Sequence, residues 1–134
     1  MFSQVKKFVW ADFTFEGYHN YPDADKYEHT ATGDEYDVSH LALRHFHTFC
    51  VHVKVEVRED NREIEFIQMR RRLVNAIGDK TLELNGQSCE MMCDTIAGIL
   101  HEWYPHSSLQ VDVSEEKMFG STCFYPAKIV KEHK

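Results

Sequence analysis

Between residues 45 and 58 apolar and polar side chains alternate almost without fault. Phe49, Val51, Val53, Val55 and Val57 fall on one side, and Thr48, His52, Lys54 and Glu56 on the other. A period of two marks a strand with one buried face, and β-branched valine suits that pleated surface. Residues 5–19 repeat the pattern, with Val9, Ala11, Phe13 and Phe15 opposed to Asp12, Thr14 and Glu16. Two long strands of this kind dictate a sheet, and the apolar face of that sheet must be covered.

The cover comes from helices. Glu59-Asp60-Asn61 is a turn signal, after which Ile64-Glu65-Phe66-Ile67 leads into a helix expected to turn Phe66, Ile67, Met69, Leu73, Val74 and Ile77 inward until Gly78-Asp79. A second helix begins near Ser88, whose hydroxyl can cap free N–H groups. It carries Met92, Ile96, Ile99, Leu100 and Trp103 at helical spacing as far as Pro105. Leu109, Val111 and Val113 then alternate with Gln110, Asp112 and Ser114, and after a turn around 117–120 a last strand covers 121–125. The order β-β-α-α-β-β predicts an α+β fold, an antiparallel sheet with both helices on one face. A chain of 134 residues supports one core and is short for two domains, so 1–134 is expected to be a single domain. The polar segment 20–44 shows no periodicity before His40-Leu41-Ala42-Leu43. It is either a functional loop joining the long strands or a mobile excursion, and connections of this length in compact domains favour the first.

Composition excludes several classes of partner. A net charge of −7 opposes binding to a phosphate backbone, and the one basic cluster, Arg70-Arg71-Arg72, would fan out around a helix as a solvated face. No apolar run approaches the roughly 18 residues of a membrane span, and the N-terminus lacks the apolar stretch of a signal peptide. Cys50, Cys89, Cys93 and Cys123 form no Cys-x-x-Cys pair and read as free thiols of a cytoplasmic protein.

The strand periods carry a chemical consequence. His19 continues the apolar face of Phe13 and Phe15, while His45 and His47 begin the face of Phe49 and Val51. If the two strands pair antiparallel, all three imidazoles meet at one end of the sheet. Same-face neighbours on a strand are about 6.6 Å apart, which suits two imidazoles closing on one ion. Three neutral nitrogen ligands with an open fourth position are the mark of catalytic zinc. With nine histidines in the chain a His-x-His pair is easily obtained by chance, and the weight falls on the third ligand arriving from the adjacent strand. Glu115 ends the face of Leu109, Val111 and Val113, and Glu90 lies in the first turn of the second helix. Each has an ordinary explanation, a solvated strand end and a helix-dipole partner respectively. Either carboxylate can also accept paired N–H bonds from the guanidine-like edge of a pterin or guanine.

Taken together these segments resemble the 6-pyruvoyl-tetrahydropterin synthase and 6-carboxy-tetrahydropterin synthase family. His45-Phe46-His47 before alternating valines resembles the family's His-x-His, with His19 in the place of its first-strand ligand. Ile64-Glu65-Phe66, Leu84-Asn85, Ser88-Cys89-Glu90 and Val111-Asp112-Val113-Ser114-Glu115 resemble further stretches in the same order. The resemblance implies the tunnelling fold, a zinc ion on His19, His45 and His47, and a heterocycle anchored chiefly by Glu115 with Glu90 as second anchor. It also implies a homo-oligomer, such as a hexamer, and carbon–oxygen or carbon–carbon lyase chemistry on a dihydroneopterin triphosphate derivative, as in pterin or queuosine-type deazaguanine synthesis. Two family features are absent. No cysteine precedes His45, where the chain reads Ser39-His40-Leu41-Ala42-Leu43-Arg44, and Thr81-Leu82-Glu83 stands in place of an Asp-His pair. His40 and Cys89 are the candidate replacements for the catalytic groups. A non-catalytic module that binds zinc and a heterocycle, or an oligomeric structural protein of this fold, is the alternative reading.

Overall fold

The computed structural model describes residues 4–130; residues 1–3 and 131–134, His133 among them, lie outside it. Eight elements follow one another: β1 (Lys7–His19), α1 (Glu35–Ala42), β2 (His45–Val57), α2 (Phe66–Ile77), β3 (Leu82–Asn85), α3 (Cys89–Trp103), β4 (Leu109–Glu115) and β5 (Phe119–Tyr125). The class is α+β, built on one five-stranded sheet in the order β3-β1-β2-β4-β5.

The alternation of the two long strands sets the core. β1 and β2 pair antiparallel over their full length, from Lys7↔Val57 to His19↔His45. Ala11, Phe13, Phe15, Phe49, Val51, Val53 and Val55 are buried on one face and meet Leu109, Val111 and Val113 of β4. Helices α2 and α3 cover this face, through Met69 and Leu73 of the first and Met92, Cys93, Ile96, Ala97 and Leu100 of the second. Ser88 caps α3 by accepting the Met91 N–H, as its position predicts, and Glu65 caps α2 by accepting from Ile67 and Gln68. No helix among the described residues is long and apolar enough to cross a membrane.

Three expectations need correction. The segment 20–44 contains a helix, α1, started by the Asp34 side chain accepting the Tyr36 N–H; it buries none of its residues, so it leaves no apolar period in the sequence. The sheet is mixed, because β3 adds parallel to β1 at Gly17–His19. Four residues are too few for alternation to announce them. Phe66 and Ile67 do not face inward but are 52% and 65% exposed. They overhang the length of β1 that β3 leaves unpaired and form, with Trp10 and Ala11, a shallow groove there. Arg70 donates to the Asp12 carbonyl and Arg72 stacks over Trp103, so two of the three arginines of the basic cluster are spent on local contacts.

Glycine is required at one turn-flanking position. A β-carbon on Gly120 would lie 2.2 Å from the Val113 carbonyl oxygen, so any side chain there pushes β5 off β4. The contrast along α2 is directly measurable. Leu73→Ala, at a fully buried site, is expected to lower the unfolding free energy by about 2–5 kcal/mol in urea titrations. Ile67→Ala should cost under about 0.5 kcal/mol, and equal losses would show that the first turn of α2 is packed after all.

Candidate metal centre

The β1–β2 register places His19 directly opposite His45, and β2 places His47 one same-face step further in. The ring centroids are 4.5 Å apart for His19–His45, 4.8 Å for His45–His47 and 5.4 Å for His19–His47. Phe49 forms an apolar floor, meeting His19 and His47 edge-on. From β4, Glu115 pairs opposite Phe49 and sends its carboxylate into the same space. Its oxygens lie 3.1 Å from His19 Nε2 and 3.4 Å from His47 Nε2. One donor atom from each of His19, His45, His47 and Glu115 lies within 4.8 Å of the others, so the group could hold a metal ion.

The hydrogen bonds decide which nitrogens face inward. His19 Nδ1 donates to the Gln87 carbonyl at 2.9 Å, and His45 Nδ1 to the Leu43 carbonyl at 2.8 Å. His47 Nδ1 donates to the Glu116 carboxylate at 2.9 and 3.0 Å. With every Nδ1 engaged as donor, each neutral ring presents an Nε2 lone pair. The Nε2 atoms of His19 and His47 are buried and have no hydrogen-bond partner; Glu115 is near but not aligned for one. Lone pairs and a carboxylate turned toward one another repel unless a positive charge sits between them, and a metal ion or a proton can supply it. Oxygen–nitrogen separations of 3.1 and 3.4 Å are close to the edge of about 3.3 Å expected between ligands of a tetrahedral ion with bonds near 2.05 Å. The donor set thus fits a metal.

The same tension appears in the acid–base balance. Contact with His19 holds the Glu115 carboxyl below its ordinary value, helped by the charges of all three imidazoles and opposed by burial. Burial is the largest influence on His19 and lowers its pKa, yet Glu115 and the Gln87 carbonyl together outweigh it and leave the group raised. Burial and the neighbouring imidazoles lower His45 against the pull of Leu43, which favours a neutral, ligating ring.

Beside the centre opens a cavity of about 480 Å³, a size that suits a small heterocycle. Its walls include His19, His45, Glu115, Glu90, Cys89 and His40, so every residue nominated from the sequence except His47 lines it. His40, on α1, is exposed and stacks on the His45 ring at 5.1 Å and on the Tyr36 ring at 5.6 Å. Glu90 accepts a hydrogen bond from Ser121 at the cavity wall. Cys89 is buried, and burial followed by the charges of Glu115 and Glu90 pushes its thiol up to about 11, which keeps it a protonated, weak nucleophile at neutral pH. Glu83 is exposed and engaged by both arms of Arg44 at 2.8 and 2.6 Å.

Sequence reasoning missed Tyr21, His29, Gln87, Phe119, Ser121 and Glu116. The first five line the cavity from loops or from β5, where no period announces them. Glu116 follows β4 in a turn where Glu116 and Lys117 take φ values of 51° and 61°. Left-handed backbone of this kind costs about 1–2 kcal/mol for each non-glycine residue, and it takes Glu116 out of strand alternation. Comparison with known proteins adds no identity: no protein-family model and no curated protein matches the chain.

A pH titration of the metal-free chain tests this electrostatic arrangement. The stabilisation from Glu115 is present above its ordinary pKa of 4.5 and lost as pH falls through its lower folded value. That from His19 is full below its ordinary 6.5 and lost as pH rises through its raised value. Both are complete between pH 4.5 and 6.5. Glu115→Gln is therefore expected to flatten the rise in thermal stability around that window, measured in chelator, and an unaltered pH profile would refute the coupling.

Proposed function

We propose that the chain is a zinc protein of the tunnelling fold, akin to the 6-pyruvoyl- and 6-carboxy-tetrahydropterin synthases. In this reading it takes a pterin or purine-like heterocycle into the cavity and acts as a lyase on a dihydroneopterin triphosphate-type substrate. The observation that carries the reading is the convergence of three imidazoles, each turned Nε2-inward, with the Glu115 carboxylate at the wall of a cavity of about 480 Å³.

His19, His45 and His47 would hold the zinc, which when bound polarises the substrate's side-chain oxygens. Glu115 reaches both the imidazoles and the cavity, so it can serve as fourth ligand or accept N–H groups of the heterocycle. Glu90, steadied by Ser121, offers a second acceptor for the same kind of N–H edge. His40 is the group suited to move a proton at the cavity wall, its ring held between Tyr36 and His45. Cys89 would contribute packing and a weak S–H donor rather than a thiolate. A homo-oligomer is part of this reading, as is a cytoplasmic location, which suits four free cysteines.

A second reading keeps the site and drops the reaction: a module that binds zinc and a heterocycle without turnover. Two observations favour it, the thiol of Cys89 held protonated and Glu83 occupied by Arg44 where an acid–base pair would be needed.

Protein prepared without a His-tag is expected to carry about one zinc per chain, since a site with three imidazole ligands takes one ion. His45→Ala should lose most of it by elemental analysis. Zinc content far below stoichiometric, or unchanged in His45→Ala, would sink the site. Incubation of the zinc-loaded protein with dihydroneopterin triphosphate then separates the readings: product formation supports the lyase, and saturable binding without turnover supports the module.

A further inference from the structure

We propose that Glu116 is a positioning residue for the metal: its carboxylate locks His47 in the Nδ1–H tautomer and so makes Nε2 of that ring a permanent ligand. The inference rests on the metal-centre reading and adds a residue that neither strand alternation nor the ligand set includes.

The three imidazoles are held in three places but by two kinds of acceptor. His19 and His45 donate to main-chain carbonyls, those of Gln87 and Leu43. His47 alone donates to a side chain, and that side chain is an anion. The geometry has every sign of being enforced. The Glu116 N–H donates to the Thr48 carbonyl at 2.9 Å, and the Thr48 N–H returns to Glu116 Oε1 at 3.1 Å, so Glu116 is tied to Thr48 of β2 through both its main chain and its side chain. Met118 N–H closes the turn on the Glu115 carbonyl. Glu116 sits at φ 51°, a conformation glycine or asparagine would take with less strain, yet glutamate occupies it and turns its carboxylate back over β2 to His47. His47 Nε2, at the other end of the ring, is buried without a partner.

A carboxylate on the far nitrogen of a ligating histidine fixes ring orientation and tautomer and raises the basicity of the ligating nitrogen. Here it does so next to Glu115, so consecutive residues divide two tasks. Glu115 points at the centre itself, and Glu116 acts on it through His47. Together their two negative charges balance a divalent cation in a partly buried site.

Two measurements test the assignment. Long-range proton–nitrogen correlation on the metal-free chain reads the His47 tautomer directly. Wild type is expected to show Nδ1–H, Glu116→Gly to shift toward Nε2–H, and Glu116→Gln, which keeps an acceptor but no charge, to retain Nδ1–H. Zinc affinity by chelator competition should fall about 10–100-fold in Glu116→Gly, less in Glu116→Gln, and stay at the wild-type level in Lys117→Gly, which alters the same turn without touching His47. Wild-type tautomer and zinc affinity in Glu116→Gly would overturn the proposal, as would a loss in Lys117→Gly equal to that in Glu116→Gly. If Glu116→Gly fails to fold, wild-type affinity in Glu116→Gln together with a mixed tautomer in the wild type overturns it. A wild-type chain that takes up no zinc defeats the metal reading, and the tautomer measurement, made without metal, still decides whether Glu116 sets His47.

Discussion

The pairing of β1 on β2 is the constraint from which the rest of the structure follows. Because side chains alternate with a period of two, sliding β2 by a single residue would turn Phe49, Val51, Val53 and Val55 out of the core and would turn His45 and His47 with them. The same register that buries the apolar face therefore puts His19 against His45 at the end of the sheet. The energy that fixes it comes from the core, where Phe49, Val53 and Val55 are fully buried, and the strand positions of the site inherit that register. This is an economical way to hold ligands rigidly, since strand positions backed by packing move less than loops.

Polar groups gathered at the edge of such a core must be satisfied, and the arrangement here is satisfied on one side only. Each ring is saturated at Nδ1 and turned with Nε2 toward Glu115. Left to itself the cluster can recruit a proton, which is what the raised His19 and lowered Glu115 express, but one proton shared by one pair leaves the remaining inward-facing lone pairs unmet. A divalent ion meets them all together. Burial, and after it the negative charges of Glu115 and Glu90, hold Cys89 as a thiol, so the chemistry on offer at this wall is that of imidazoles and carboxylates rather than of a thiolate.

What could be read from the sequence, and what could not, divides along the same physical line. Where burial is strong and regular, the residues announce themselves: His19, His45, His47 and Glu115 continue apolar strand faces, and Ser88 precedes a helix with a wide apolar stripe. Where an element is held by caps or single hydrogen bonds, the pattern is silent. Helix α1 buries no residue and rests on Asp34 and on main-chain bonds such as Tyr21 N–H to the Leu41 carbonyl. Glu116 escapes because its turn is left-handed, and His29 and Ser121 because they reach the cavity from a loop and from an edge strand. The inward turn expected of Phe66 and Ile67 failed for a different reason: helical period identifies a face, but not whether the sheet beneath extends far enough to cover its first turn.

The cavity consequently has two walls of unequal character. One is the sheet end with the three imidazoles and Glu115, locked by register and by the core. The other is assembled from the 20–44 segment, which supplies Tyr21, His29 and His40, and from the start of α3, which supplies Cys89 and Glu90. Substitutions at Tyr21, His29 or His40 can change the groups that face the cavity while leaving the first wall intact, because none of the three belongs to the core, whereas Cys89 does. The sheet wall is therefore the part whose geometry the core fixes, and the groups of the other wall that stand outside the core, His40 first among them, can be exchanged without disturbing it.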